Sequence, residues 1–215
     1  VKSNNTIWFN PGLKESVFII PGVFGVVFWM FPGLLACVAT AREKEQGTIV
    51  QAYASSIKPE ELILGKTIVY LLIGLVQAVL VMAVALLLFG VFPSAAPSAL
   101  LVSIPIYVAC SVLFGLAVGS WANSQTTAVQ AVSTLGFFTC LLLSGFVYPL
   151  SNIPFPLSLV SYLVPARYFI EVSRDAFARG GGWAFIWYDP LILLLFVASL
   201  FTISWLAWRR KQFRN

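Results

Sequence analysis

Few side chains in this 215-residue chain could carry proton transfer, metal binding or phosphate chemistry, and they gather at two places. The first is Arg42-Glu43-Lys44-Glu45-Gln46-Gly47-Thr48, with two bases and two acids in four consecutive positions. The second holds Arg167, Glu171, Arg174, Asp175 and Arg179, spaced so that neighbours in charge lie three or four residues apart. The sequence has no histidine, which removes histidine general bases, triads that depend on one, and most zinc sites. Cys37, Cys110 and Cys140 sit in apolar runs and read as free, buried thiols; no metal site is expected. Gly65-Lys66-Thr67 resembles the end of a phosphate-binding loop. That loop requires a glycine five residues before Gly65, where this chain has Glu60. The chain is therefore not read as an enzyme, and any nucleotide chemistry has to come from another polypeptide.

The elements that position these clusters are set by solvent. From Thr67 to Ala166 a hundred consecutive residues carry no charge. In a soluble domain about a quarter of residues are charged, whereas a bilayer excludes charge at about 2.5–3.5 kcal/mol per ion at its centre. With 60% hydrophobic and 10% charged residues and a mean hydropathy of +0.92, the composition is that of an all-α polytopic membrane protein. Runs long enough to cross predict five spans, at about 17–41, 67–91, 98–121, 127–148 and 191–208. Residues 1–16 read as the end of an extracytoplasmic region, 17–208 as the transmembrane domain and 209–215 as a basic cytoplasmic tail. Eight of the thirteen Lys and Arg residues fall on one side of this arrangement (Arg42, Lys44, Lys58, Lys66, Arg209, Arg210, Lys211 and Arg214). The richer side is cytoplasmic by the positive-inside rule, which places the C-terminus inside. The net charge of +5 is accounted for by this anchoring, and the bases are not interleaved with stacking aromatics, so no nucleic acid is expected.

The mixed signs of Arg42–Glu45 exceed what a stop-transfer signal needs and suit a protein partner, although a solvated loop would also accept them. Pro59-Glu60-Glu61 carries a helix-start signature, and together the two segments suggest short cytoplasmic helices before the second span. On the other side, residues 154–165 are apolar but too short to span, which predicts a re-entrant or interfacial helix. Residues 167–179 follow as an amphipathic helix. Its spacings predict the pairs Arg167–Glu171, Glu171–Arg174 and Asp175–Arg179, opposite an apolar side of Tyr168, Phe169, Val172, Ala176 and Phe177. Trp183, Trp187 and Tyr188 read as an aromatic belt. Gly115 and Gly119 permit close helix approach, either within the chain or at a dimer seam, and Pro32 and Pro105 should kink their spans.

The run Arg42-Glu-Lys-Glu-Gln-Gly-Thr, followed by Pro59-Glu-Glu-Leu-Ile-Leu-Gly-Lys-Thr, resembles the permease subunit of the type-2 ABC exporter family. Shorter matches accompany it in order: Phe9-Asn-Pro, Ile20-Pro-Gly, Phe89-Gly-Val, Gly115-Leu, Ser124-Gln, Leu143-Ser-Gly-Phe-Val-Tyr-Pro and Ile153-Pro. The resemblance covers essentially the whole chain. It implies six spans in a complete member, so that this chain would lack the first span and most of the extracytoplasmic region after it. It also implies a bacterial or archaeal plasma-membrane location, a second permease (identical or paralogous), and a cytoplasmic ABC ATPase that binds the ATP and Mg. This chain itself is then expected to bind no cofactor. Carried over residue by residue, docking on the ATPase falls to Arg42, Glu43, Glu45, Gly47 and Thr48. The hairpin with Arg167, Glu171, Arg174 and Asp175 would dip into the outer leaflet and narrow the exit, where the residues alone equally allow a helix lying flat on the membrane. A stand-alone channel or secondary transporter, or a non-transporting scaffold, is the alternative; the former usually shows ionisable or polar groups at membrane depth.

Overall fold

The computed structural model describes residues 15–48, 57–93, 97–147, 150 and 154–212. Residues 1–14 with Phe9-Asn-Pro, the turn at Ser55-Ser56, Tyr148-Pro149, Ile153 and the last tail residues 213–215 lie outside the described residues. The described chain is helical: α1 (Glu15–Glu45), α2 (Pro59–Phe89), α3 (Pro97–Trp121), α4 (Gln125–Leu143), α5 (Leu157–Ser161), α6 (Pro165–Arg174), α7 (Trp183–Ile186) and α8 (Tyr188–Gln212). Five of these, α1, α2, α3, α4 and α8, are long and apolar enough to cross a membrane. The protein is thus an all-α polytopic membrane protein.

Helix ends follow local chemistry. Pro59 opens α2, and the Glu61 carboxylate accepts from the Lys58 backbone N–H at 3.2 Å. Gly90 closes α2 in the left-handed conformation (φ 60°), its N–H donating to Leu86 O at 3.1 Å. Ser124 caps α4 by accepting from Thr127 N–H at 3.2 Å.

The expected short cytoplasmic helices are corrected at both described ends. Arg42–Glu45 form the last turn of α1, and Pro59–Glu61 the first turn of α2. Between Gly33 and Gly47 no glycine or proline interrupts the good helix formers of α1, so hydrogen bonding continues out of the membrane. At 1.5 Å per residue, 31 residues reach about 46 Å, well beyond a hydrocarbon core of about 30 Å. Gly47, at φ 73°, then turns the chain. The fourth helix ends at Leu143, five residues before the predicted end, because the bend at Ser144–Val147 includes Gly145 at φ 85°. Its last carbonyl, Leu143 O, accepts from Ser161 Oγ at 2.7 Å. Within α4 the segment Val132–Phe138 is wound as a π-helix.

α3 is the central helix: 67% of its apolar stretch is buried, against 17% for α2. Its closest neighbour is α1. A Cβ placed on Gly115 would lie 2.1 Å from Gly33 O, and one on Gly119 would lie 2.6 Å from Cys37 O, so these glycines put two backbones in direct contact. α1 runs unbroken through Pro21 and Pro32. Proline removes one helix hydrogen bond and crowds the preceding turn, and polar side chains from neighbouring helices reach carbonyls in this part of α1. Tyr107 Oη donates to Gly25 O at 2.7 Å, Gln77 Nε2 to Val27 O at 3.4 Å, and Ser111 Oγ to Trp29 O. Rings knit α1, α3 and α6 together: Tyr107 stacks on Phe169 at 4.3 Å and on Trp29 at 5.7 Å, while Phe28 meets Phe169 at 5.9 Å.

Candidate coupling site and the hairpin at the opposite end

The last turn of α1 ties three other helices. Glu43 forms an ion pair with Lys66 on α2, whose ammonium also lies 5.3 Å from the buried Trp208 ring of α8. Lys44 Nζ donates to Ser120 O at 2.9 Å and to Ala122 O. These carbonyls stand at the C-terminal end of α3, where the helix leaves acceptors without intrahelical donors and where a positive charge is favoured. Glu45 does the opposite for the next helix. Its Oε2 accepts from Gln125 N–H at 3.2 Å and from Gln125 Nε2 at 3.0 Å, at the positive N-terminal end of α4. Adjacent residues of opposite sign thus clamp the end of one helix and the start of the next.

This geometry divides the candidate docking residues. Glu43, Lys44 and Glu45 have partners inside the chain, while Arg42, Gln46, Gly47 and Thr48 are exposed. Thr48 Oγ1 donates to Glu43 O at 3.2 Å and folds the turn back on the helix. The interhelical partners Lys66, Ser120, Ala122 and Gln125 were not legible as such, because no local spacing links them to Arg42–Glu45. The signal that could have found Lys66 is its place as the last charge before the uncharged run.

The hairpin stands at the other end of the bundle. Val172 of α6 packs with Ala99 near the start of α3, whereas Lys44 holds Ser120 at the far end of that helix, about 32 Å away. α5 turns apolar side chains outward, Leu157 and Leu159 among them, as an interfacial segment does. Tyr168, Phe169, Val172, Ala176 and Phe177 are buried on the inner side of the hairpin's second limb.

The predicted ion pairs are corrected. Glu171 pairs with Arg179, eight residues on, because α6 continues into a π-helical turn, Asp175–Arg179. One ordinary turn and one widened by i→i+5 bonding bring residues about eight apart onto one face. Asp175 is buried and accepts from the backbone N–H groups of Gly181 at 3.0 Å and Gly182 at 2.8 Å. It fixes the glycine turn and leaves Arg179 to Glu171. Arg167 lies on the Tyr162 ring at 3.9 Å and donates to Ser161 Oγ at 3.1 Å, so it joins the two limbs of the hairpin. Arg174 Nη2 reaches Phe146 O at 3.4 Å, and burial lowers its pKa from the usual guanidinium value.

Among the described residues, an all-helical body with five helices long and apolar enough to cross a membrane and its charges gathered at two ends is the architecture of a polytopic membrane protein. The family model described as ABC-2 type transporter matches residues 4–178, and the chain belongs to that family. It is 27% identical over 204 residues to the probable multidrug ABC transporter permease YbhS of Escherichia coli K12, covering 95% of this chain and 54% of that protein. Similarity to the probable multidrug ABC transporter permease YbhR of the same strain is 27% over 205 residues, covering 95% and 55%. The ABC transporter G family member 20 of Dictyostelium discoideum is 25% identical over 211 residues, 96% of this chain and 28% of that protein. The chain spans about half the length of the bacterial relatives it matches.

Proposed function

We propose that the protein containing this chain is an exporter permease driven by a separate cytoplasmic ATPase, with the last turn of α1 as the coupling element. The observation that carries this reading is the clamp: Lys44 and Glu45 join α1 to the facing ends of α3 and α4, and Glu43 joins it to α2. A push on the exposed Arg42–Thr48 turn is thereby delivered to three helices without passing through a loop. The ATPase supplies ATP and Mg chemistry; this chain supplies the pathway, with a second permease, identical or paralogous, completing it. The lysine and arginine asymmetry supports a C-terminus in the cytoplasm of a bacterial or archaeal plasma membrane. The α5–α6 hairpin at the opposite end would then narrow the exit. Two relatives are named as probable multidrug permeases, which supports export of drugs, and the uncharged spans are compatible with hydrophobic cargo.

The test is purification of the full-length parent in nanodiscs, with mass spectrometry and ATP hydrolysis as readouts. A stoichiometric phosphate-loop ATPase is expected, and it should be lost in Arg42→Glu/Thr48→Arg, which alters only outward-facing residues. A preparation free of ATPase under gentle conditions, or undiminished retention in that double variant, would overturn the coupling role and favour a channel or scaffold.

A further inference from the structure

Beside the hairpin, a cavity of about 430 Å³ opens between α6 and the start of α8. Rings of Tyr162, Tyr168 and Tyr188 face it together with Arg167, Glu171 and Asp189, and Leu150 and Ile192 add an apolar wall. The charges in it are not equivalent. Arg167 is held on Tyr162 and Ser161, and Glu171 is held by Arg179. Asp189 is different: it is 1% exposed, and its Oδ2 is buried with no hydrogen-bond partner. A buried carboxylate without a donor is costly, and its place in the first turn of α8 supplies a favourable field but no bond.

We propose that this cavity is a binding site for a protonated primary amine bearing an apolar group. The ammonium would donate to Asp189 Oδ2 while the tyrosine rings cover its charge, and the apolar group would lie against Leu150 and Ile192. The volume is that of a small-molecule site. A primary amine is preferred over a quaternary one because Asp189 lacks a donor, which a trimethylated nitrogen cannot provide. The same headgroup chemistry belongs to a soluble amine and to an aminophospholipid. The site faces outward only under the orientation proposed above; the binding itself does not depend on that reading.

The experiment measures binding of tritiated 2-phenylethylammonium to the full-length parent without nucleotide. The nanodiscs contain phosphatidylcholine and phosphatidylglycerol, which offer no primary amine. Saturable binding is expected, weakened at least tenfold by Asp189→Asn and at least tenfold for the trimethylated probe. Ile192→Trp, which fills the cavity and leaves the carboxylate in place, should weaken binding equally and serves if Asp189→Asn does not fold. Adding phosphatidylethanolamine distinguishes the sources: competition identifies a lipid headgroup, and its absence a soluble amine, both upholding the site. No saturable binding to millimolar probe, or equal binding by both variants, would overturn it. Loss of ATPase association with binding intact would instead remove the exporter reading and leave this one standing.

Discussion

Replacing Lys44 by methionine keeps most of the apolar stem and removes the charge and donors, so it isolates the clamp between α1 and the end of α3. In the wild type, Lys44 Nζ serves two carbonyls, Ser120 O and Ala122 O. A hydrogen bond involving a charged group contributes about 1.5–3 kcal/mol. Lys44 is half-buried, so water replaces part of what is lost and the pair together is worth about 2 kcal/mol, near the low end for a single bond. That corresponds to about thirtyfold in a local opening equilibrium. Hydrogen exchange of the full-length protein in nanodiscs reads it directly. Amides of the α3–α4 junction, including Gln125 N–H, should exchange about thirtyfold faster in Lys44→Met, with protection in the middle of α8 unchanged. Retention of the ATPase should persist, because Arg42, Gln46 and Thr48 are untouched, but stimulation of hydrolysis by transport substrate should be lost. Unchanged exchange at the junction would refute the idea that Lys44 braces it, and the mechanical path from α1 to α4 would fall with it.

The remaining predictions concern other contacts. Gly115→Ala places a Cβ 2.1 Å from a backbone oxygen and should destabilise by about 1–3 kcal/mol or more, read as lost monodisperse protein on heating, whereas Gly65→Ala, with nothing within 4 Å, should be neutral or stabilising; equal behaviour of the two would contradict the α1–α3 packing. Asp175→Ala removes both side-chain bonds to the Gly180–Gly182 turn and leaves only the backbone bond from Gly180 N–H to residue 175 O, and trypsin should cut after Arg179 at least tenfold faster, a rate that would stay constant if the turn did not depend on the carboxylate. Cys37, Cys110 and Cys140 are buried and should not react with an impermeant maleimide in the folded protein. Against that silent background, Gln46→Cys and Gly181→Cys should label from opposite faces of sealed vesicles; labelling of both from one face would overturn their placement at opposite ends of the bundle.

The five spans were legible because membrane solvation writes itself into composition: the uncharged run Thr67–Ala166 can only be read one way. Helix ends with their own chemistry were also legible, as at Pro59-Glu60-Glu61. What sequence could not supply were contacts made across helices. The i→i+4 rule paired Asp175 with Arg179, but it presumes an α-helix, and the π-turn over Asp175–Arg179 changes the angle between residues. Glu43 and Glu45 read as outward-facing for the same reason: their partners Lys66 and Gln125 are 23 and 80 residues away. Asp189 was passed over because it abuts the belt formed by Trp187 and Tyr188, where an acid at the membrane surface needs no explanation. Only the position of α6 shows that it is enclosed.

α1 connects the two ends of the molecule, and the way it packs decides what can move with it. Its contact with α3 is backbone against backbone at Gly33–Gly115 and Cys37–Gly119, and Ser111 and Tyr107 add bonds to its carbonyls. Such a seam has no side-chain slack: a slip of one residue would drive a Cβ into a carbonyl oxygen. α1 and α3 therefore act as one rigid pair. α2 and α4 meet this pair largely through small buried residues, Gly74, Ala78 and Ala85 on α2 and Ala128, Gly136 and Cys140 on α4, and Glu43 and Glu45 fasten their ends to α1. At the outer end the same pair carries the hairpin, through Phe28 and Tyr107 on Phe169 and through Ala99 on Val172. Under the proposed coupling, a push at Arg42–Thr48 would reach the hairpin through a rod about 46 Å long.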